Sequence, residues 1–231
     1  MTDPTDPSAA PEDTGTPTGL LHLRTWLPAE LHEPFSAWCD THHLEQLAVP
    51  GFRRVRRFSL VRSAVDDPPR YLTIYDLDRL EVLDGDDYAA YRGRSSGLPD
   101  FLRPTLRAAR SDARLVERVP PGAGVVPTGE ALLHLYAPVS AGDGGGPDPA
   151  DWFTANAGTL LDTTGGTTAR LFRTSAGEHL VLVELPTLAD APELSTVPQP
   201  EPEAAGWGLY HLDFTAGAEG TAPVRAARPD S

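Results

Sequence analysis

Leu20-Leu21-His22-Leu23 recurs as Leu132-Leu133-His134-Leu135 in the second half of the chain, and this repeat decides the fold. Other residues recur in the same order at nearly the same spacing: Trp38 and Trp152, Gly51 and Gly165, Arg56 and Arg170, Phe58 and Phe172, and the set Ile74, Asp76, Leu77 with the set Leu182, Glu184, Leu185. Several ordered matches, with small offsets that loop lengths explain, indicate an internal duplication.

Each half has the signals of one small α+β unit. Alternating apolar residues predict strands at 20–26, 52–61, 71–76 and 115–119 in the first half, and at 131–137, 168–174, 179–185 and 207–214 in the second. Helices are predicted from about Pro28 to Pro50 and over most of 79–110. In the second half, a Pro-rich loop shortens or replaces the second helix. The order β-α-β-β-α-β is ferredoxin-like, and two such sheets can cover each other's open faces.

These patterns predict two tandem ferredoxin-like units in one chain. The predicted parts are a disordered N-terminal segment (1–19), a first unit (20–119), a linker (120–130), a second, degenerate unit (131–214) and a disordered tail (215–231). The two ends are rich in Pro, Ala, Thr and Asp, and such segments bury too little apolar surface to fold.

The composition excludes several classes of function. The net charge is −14, which repels phosphate backbones and anionic lipid, so we expect neither nucleic-acid nor membrane binding. All 19 basic residues are Arg, so no lysine chemistry is available. Cys39 is the only cysteine, and the N-terminus lacks the features of a signal peptide. We therefore expect a cytoplasmic protein.

One segment points to a known superfamily. Trp38-Cys39-Asp40-Thr41-His42-His43-Leu44-Glu45, followed by Val49-Pro50-Gly51-Phe52, resembles a motif of dimeric α/β-barrel proteins, in particular EthD-like proteins and their actinobacterial relatives. The resemblance implies a barrel built from two ferredoxin-like units. It implies a function among cofactor-free monooxygenases, polyketide cyclases, lactone isomerases and some haem enzymes. Cys39 stands where Tyr is common, and Ala157 occupies the position of His43 in the second half.

Strand alternation provides a second indication of where a site lies. If the helices cover the apolar face, the polar side chains face the barrel interior: His22, Arg24 and Trp26 in the first strand, His134 and Tyr136 in the fifth, and His211 and Asp213 in the last. The predicted catalytic residues are His22, His43, His134 and His211. The predicted substrate-binding residues are Arg24, Trp26, Tyr75, Tyr136 and Asp213.

Each of these residues also has a structural interpretation. His22 and His134 would equally serve as buried filler, and His43 as a solvated surface residue. The run Arg53, Arg54, Arg56 and Arg57 is more typical of an ion-paired strand edge than of an anion site. The sequence has no metal-ligand spacing, no phosphate loop and no serine nucleophile elbow.

The sequence therefore favours a small-molecule enzyme, of the kind found in secondary metabolism, with its substrate in a barrel pocket. Neutral histidines would move protons and Arg24 would stabilise a developing enolate or phenolate. The reaction would be cyclisation, isomerisation or cofactor-independent oxygenation of an aromatic or polyketide-like molecule. No cofactor is predicted, haem being implied by the resemblance alone, and a homodimer is compatible. The alternatives are a non-catalytic ligand-binding or accessory protein and a purely structural module.

Overall fold

A computed structural model describes residues 16–94, 97–120, 129–135, 148–189, 191–198, 206–218 and 222–225. Within these residues, eight antiparallel strands close into a barrel and three α-helices lie outside it. The strands are β1 (Gly19–Trp26), β2 (Phe52–Ser63), β3 (Tyr71–Leu77), β4 (Arg107–Val119), β5 (Ala131–Leu135), β6 (Thr168–Thr174), β7 (His179–Leu185) and β8 (Trp207–Gly217), followed by the short β9 (Val224–Arg225). The helices are α1 (His32–Leu47), α2 (Asp86–Arg94) and α3 (Pro149–Thr164).

The α+β class and the barrel agree with the prediction. The strand order is β2-β3-β1-β4-β6-β7-β5-β8, and β8 pairs back onto β2. The first four strands thus have the order β4-β1-β3-β2, and the last four the corresponding order β8-β5-β7-β6. The seams β4–β6 and β2–β8 join the halves. Closure pairs the strand edges that an open sheet would expose.

Local sequence explains where the long helices start and stop. Asp148 caps α3 by accepting a hydrogen bond from the Ala150 backbone N–H at 2.8 Å, and Pro149 occupies the first turn. Gly165 ends α3 with φ of 64°, a left-handed conformation that favours glycine. After α1, Gly51 turns the chain into β2 with φ of 90°.

The second helix of the first half is much shorter than predicted. Within the described residues of this segment, helix forms as α2 and as a 3₁₀ turn at Leu80–Asp84, and β4 already begins at Arg107 instead of 115. The segment Arg107–Arg114 has weak local preferences, but it pairs with β1 along that strand's whole length. Tertiary pairing therefore overrides the helical pattern.

The prediction of a reduced second helix in the second half agrees with the described residues, which hold a 3₁₀ turn, Leu194–Thr196, between β7 and β8. The tail predicted to be disordered contains the end of β8 and all of β9. Most of the predicted N-terminal segment and linker lies outside the described residues.

Apolar side chains pack in layers on both sides of the sheet. One cluster lies beneath α3 and contains Trp152 and Phe153. Two clusters lie beneath α1 and α2, around Tyr75 and Phe35. A fourth cluster fills the barrel interior, around Phe58 and Phe172. Among the described residues, no helix is long and apolar enough to cross a bilayer.

Candidate functional site

The barrel interior brings His22 of β1 and His134 of β5 together. Their rings stack with centroids 4.9 Å apart and planes 24° apart, and both side chains are fully buried. Neither ring nitrogen of His22 has a hydrogen-bond partner among the described residues. Burial, helped by the charge of Arg24, lowers the pKa of His22 to about 3. Burial likewise lowers the pKa of His134 well below its ordinary value, so both rings are neutral at pH 7.

A buried ion network lies in the same interior. Arg56 donates to Glu184 at 2.8 Å and to Asp76 at 3.2 Å, while Arg170 donates to Asp76 at 3.0 Å and to Glu184 at 2.8 Å. Each arginine therefore binds one carboxylate from its own half and one from the other half. Burial by itself would raise the pKa of Asp76, but the two arginines hold it below its ordinary value. The network ties the two halves together at the centre of the barrel.

Side chains from both halves fill the remaining interior. The apolar cluster contains Leu20, Phe58, Ile74, Leu132, Phe172 and Tyr210. Two surface grooves lie elsewhere. One is lined by residues of β4 and β6, such as Arg114 and Arg173, and the other lies near Trp26 and Arg107. Buried side chains thus surround His22 and His134, and the substrate pocket predicted inside the barrel stays a prediction.

β8 points its predicted site residues away from the interior. Trp207 and Leu209 pack in the cluster beneath α3, and Tyr210 packs inside the barrel. By alternation, His211 shares the outer face. Asp213 accepts a hydrogen bond from Ser59 Oγ at 2.8 Å, and Ser59 pairs with Tyr71 of the outer layer. The placement of His211 and Asp213 in the interior is thus wrong, because Gly208, Tyr210 and Leu212 hold the inward positions.

The remaining predicted residues of β1 lie toward one end of the barrel. Arg24 and Trp26 are partly buried. The Trp26 indole N–H donates to the Asp67 carbonyl at 3.0 Å, and the guanidinium of Arg107 lies 4.4 Å from the Trp26 ring centroid. Tyr136 lies outside the described residues. The roles predicted for Arg24, Trp26 and Tyr136 stay predictions.

The layer between α1 and the sheet brings His43 and Tyr75 together. His43 Nδ1 and Tyr75 Oη are 2.6 Å apart, within hydrogen-bond distance. Both side chains are buried, with 3% and 1% of their surface exposed. The Phe214 ring lies 5.7 Å from the His43 ring. His43 Nε2 is buried and has no hydrogen-bond partner among the described residues, which is unusual for a buried polar atom.

Burial also decides the protonation of this pair. It lowers the pKa of His43 well below 6.5, and the charges of Arg57 and His42 lower it further. It raises the pKa of Tyr75 well above 10. At neutral pH the pair is therefore an uncharged imidazole and an uncharged phenol, and either can be the donor, depending on the imidazole tautomer.

Arg57 supplies a buried positive charge close to this pair. Its guanidinium donates to Asp40 Oδ1 at 2.7 Å and lies 5.6 Å from the Phe214 ring. Arg225 of β9 also binds Asp40, at 2.6 Å. Sequence reasoning treated the arginine run as a strand edge and missed Arg57. Alternation along β2 was the available signal, because it places Val55 and Arg57 on one face beneath α1.

An outer aromatic layer covers His43. The Trp38 and His42 rings stack 4.8 Å apart, and the Tyr91 hydroxyl of α2 lies 3.3 Å from His42. Cys39, which faces the same layer, is buried, and this raises the pKa of its thiol to about 12. It is therefore not a nucleophile at neutral pH. Within the described part of the chain, no three His, Cys, Asp or Glu side chains lie close enough together to hold a metal ion.

Comparisons with known proteins give information on the fold of this chain but not on its chemistry. No protein-family model matches this sequence, and no curated protein is significantly similar to it. An anthrone oxidase-like protein of known structure superposes with a TM-score of 0.60 at 14% identity, covering 94% of this chain and 98% of that one. A protein from Lactobacillus acidophilus NCFM, provisionally called a monooxygenase, superposes with a TM-score of 0.50 at 9% identity, covering 91% of this chain and 100% of that one. At these identities the likeness shows the fold alone, an antiparallel barrel with helices outside it.

Proposed function

We propose that this protein is an enzyme that oxygenates a hydroxylated aromatic or polyketide-like molecule without a bound cofactor, and that His43 and Tyr75 form its catalytic centre. The buried Nε2 of His43, which lacks a partner among the described residues, carries this proposal. Such an atom is costly unless a ligand satisfies it. The names of the two structural neighbours support oxygenation over cyclisation or isomerisation.

His43 is the proposed base. When Nδ1–H donates to Tyr75 Oη, the lone pair of Nε2 is free to accept a proton from a substrate hydroxyl or an activated methylene. Tyr75 then fixes the tautomer and orientation of the imidazole. The low pKa of His43 keeps it unprotonated, and the anion that forms beside it favours the imidazolium.

The anion then reacts with dioxygen. Oxidation of a methylene to a carbonyl uses one O₂, places one oxygen atom in the product and releases the other as water. The buried guanidinium of Arg57 stabilises the developing negative charge, since electrostatic interactions are strong away from water. Dioxygen is therefore a co-substrate, and the protein supplies the base, the positive charge and a dry surrounding.

Substrate must pass the outer aromatic layer. We propose entry between α1 and α2, where the Tyr91 hydroxyl and His42 lie 3.3 Å apart. This long, neutral hydrogen bond costs little to break.

The proposal also includes the origin of the two halves. We propose that both descend from one duplicated, EthD-like ferredoxin-like unit, and their shared strand order supports this.

The test is oxygen consumption with anthrone as substrate. We expect His43→Ala to lose about 10²- to 10⁴-fold in rate, the usual contribution of a general base. Tyr75→Phe keeps the ring but removes the hydroxyl, and we expect a loss of roughly tenfold. Ala157→Ser, at the matched position in the second half, serves as the control. A His43→Ala variant as active as the wild type would reject this catalytic centre. Loss of oxygen consumption in His22→Leu instead would place the catalytic centre in the barrel interior.

A second candidate is a non-catalytic ligand-binding or accessory protein. The close packing of Trp38, His42 and Tyr91 over His43 favours it, because these side chains separate His43 from solvent. Saturable binding of anthrone without oxygen consumption in the wild-type protein would support this function and reject the enzyme.

A further inference from the structure

An open groove lies on the outer face of the β4–β6 seam. It has a volume of about 650 Å³, in the range of small-molecule sites. Four arginines surround it: Arg92 of α2, Arg110 and Arg114 of β4, and Arg173 of β6. Both halves of the chain therefore build this groove.

The charge of this groove is opposite to that of the protein. The whole chain carries a net charge of −14, yet the groove's four arginines are joined by only two aspartates, Asp84 and Asp112. Among the described residues, Arg92, Arg110 and Arg173 have no carboxylate within ion-pair distance. Carboxylates are in excess in this protein, so arginines that converge without ion pairs create a positive site where an anion is favoured.

The fourth arginine is only partly engaged. Arg114 binds Glu81 at 2.6 Å, but both side chains of this pair are more than half exposed. Such a pair is weak and an incoming anion competes with it readily. The guanidinium of Arg110 lies 5.5 Å from the Tyr88 ring, which orients it without neutralising it.

Apolar side chains form the other part of the groove. Val116 is 46% exposed, which is high for a large apolar residue, and the partly buried Leu80 and Leu83 also line the groove. Apolar surface and unpaired guanidinium groups thus face the same space. The aliphatic or aromatic part of a ligand would cover the apolar surface, while its carboxylate or sulfonate would bind the guanidinium groups.

We propose that this groove binds a small organic anion with an apolar body. The arginines recognise the acidic group through charge-assisted hydrogen bonds, and Val116, Leu80 and Leu83 contact the apolar part. The groove does not include His43 or Tyr75, so this proposal does not rest on the proposed function. The negative charge of the rest of the surface disfavours extended polyanions such as nucleic acids.

The test uses two fluorescent probes of nearly the same shape. 8-Anilinonaphthalene-1-sulfonate carries a negative charge, and N-phenyl-1-naphthylamine lacks it. We expect the full chain to bind the sulfonate at least about tenfold more tightly than the neutral amine, the value of one charge-assisted contact. The double variant Arg110→Gln/Arg173→Gln should weaken sulfonate binding by at least about tenfold and leave amine binding unchanged.

A matched control changes net charge equally. Arg94→Gln/Arg103→Gln also removes two exposed arginines, neither of which lines the groove. We expect it to change the sulfonate affinity by less than about twofold, since exposed charges that do not contact the ligand are screened by salt. Equal affinities in both double variants, or equal binding of the two probes to the wild type, would overturn the proposal. Circular dichroism of each variant verifies that the fold is intact.

Discussion

The layers beneath α1 and beneath α3 occupy corresponding places in the two halves but contain different chemistry. In the first, His43, Tyr75 and Arg57 are buried together with Cys39. At the matching positions of the second, the chain has Ala157, Val183, Leu171 and Phe153, all members of one apolar cluster. One layer thus holds polar groups suited to a site, and the other is ordinary core.

The barrel interior differs from both layers because residues at corresponding positions of the two halves contact each other there. His22 stacks on His134, and Arg56 and Arg170 bind the carboxylates of both Asp76 and Glu184. A change at any of the four charged positions removes one partner of a buried charge in the opposite half. The layers beneath the helices contact mainly their own half, so each can change independently.

The largest effect is expected in the shared interior. Arg56→Met and Arg170→Met should each lower the free energy of unfolding by about 3–5 kcal/mol, because two buried carboxylates are left with one arginine. Since each arginine binds both carboxylates, the two losses should be of similar size. Urea denaturation measures both. Two clearly unequal losses would show that the halves do not share the network equally.

As a control, Arg103→Gln removes an exposed ion pair with Asp100. It should change the stability by less than about 1 kcal/mol.

The next effect distinguishes the two layers. Phe153→Ala beneath α3 should cost about 3–5 kcal/mol, because it opens a cavity in an apolar cluster that is fully closed. Cys39→Ala, at the matched position beneath α1, should cost about 1 kcal/mol, since only one sulfur atom is removed. Thermal or urea unfolding measures both losses. A larger loss for Cys39→Ala would contradict the interpretation that the layer beneath α3 is packed core and the layer beneath α1 holds a site.

A further effect concerns acid stability. The pKa of His22 is about 3 in the folded protein and near 6.5 when unfolded, so between these values the unfolded chain binds more protons. Stability therefore falls as the pH decreases from 6.5 toward 3, and His22 contributes about 2 kcal/mol of that loss by pH 5.

His22→Leu has a similar volume and no titratable group. Its stability should fall less than that of the wild type between pH 7 and pH 5, by about 2 kcal/mol in unfolding measurements. The same acid dependence in both proteins would mean that His22 is protonated in the folded state.

Much of the fold was predictable because it rests on local pattern. The recurrence of Leu20–Leu23 at Leu132–Leu135, with helix and strand signals in the same order, led to the α+β class and the barrel. The long β4 was not predictable, because its N-terminal part becomes a strand only through pairing with β1.

The candidate site was predictable only in part. The sequence pointed to His43 through a family resemblance and to Tyr75 as a substrate-binding residue, but not to their contact, since they are joined by the packing of α1 on β3. Arg57 was missed for the same reason: a strand arginine is a surface residue unless a helix covers it, and here α1 supplies Asp40 as its partner.

What the sequence by itself determined is the order of elements, the internal repeat and the shared face of His22 and His134, because alternation and helical spacing are properties of adjacent residues. Only the tertiary structure decided that the barrel is filled, that His211 and Asp213 lie on its outer face, and that four arginines meet at the β4–β6 seam. Each of these depends on strand register and closure between residues far apart in the chain, and a change of register by one residue moves a side chain to the other face.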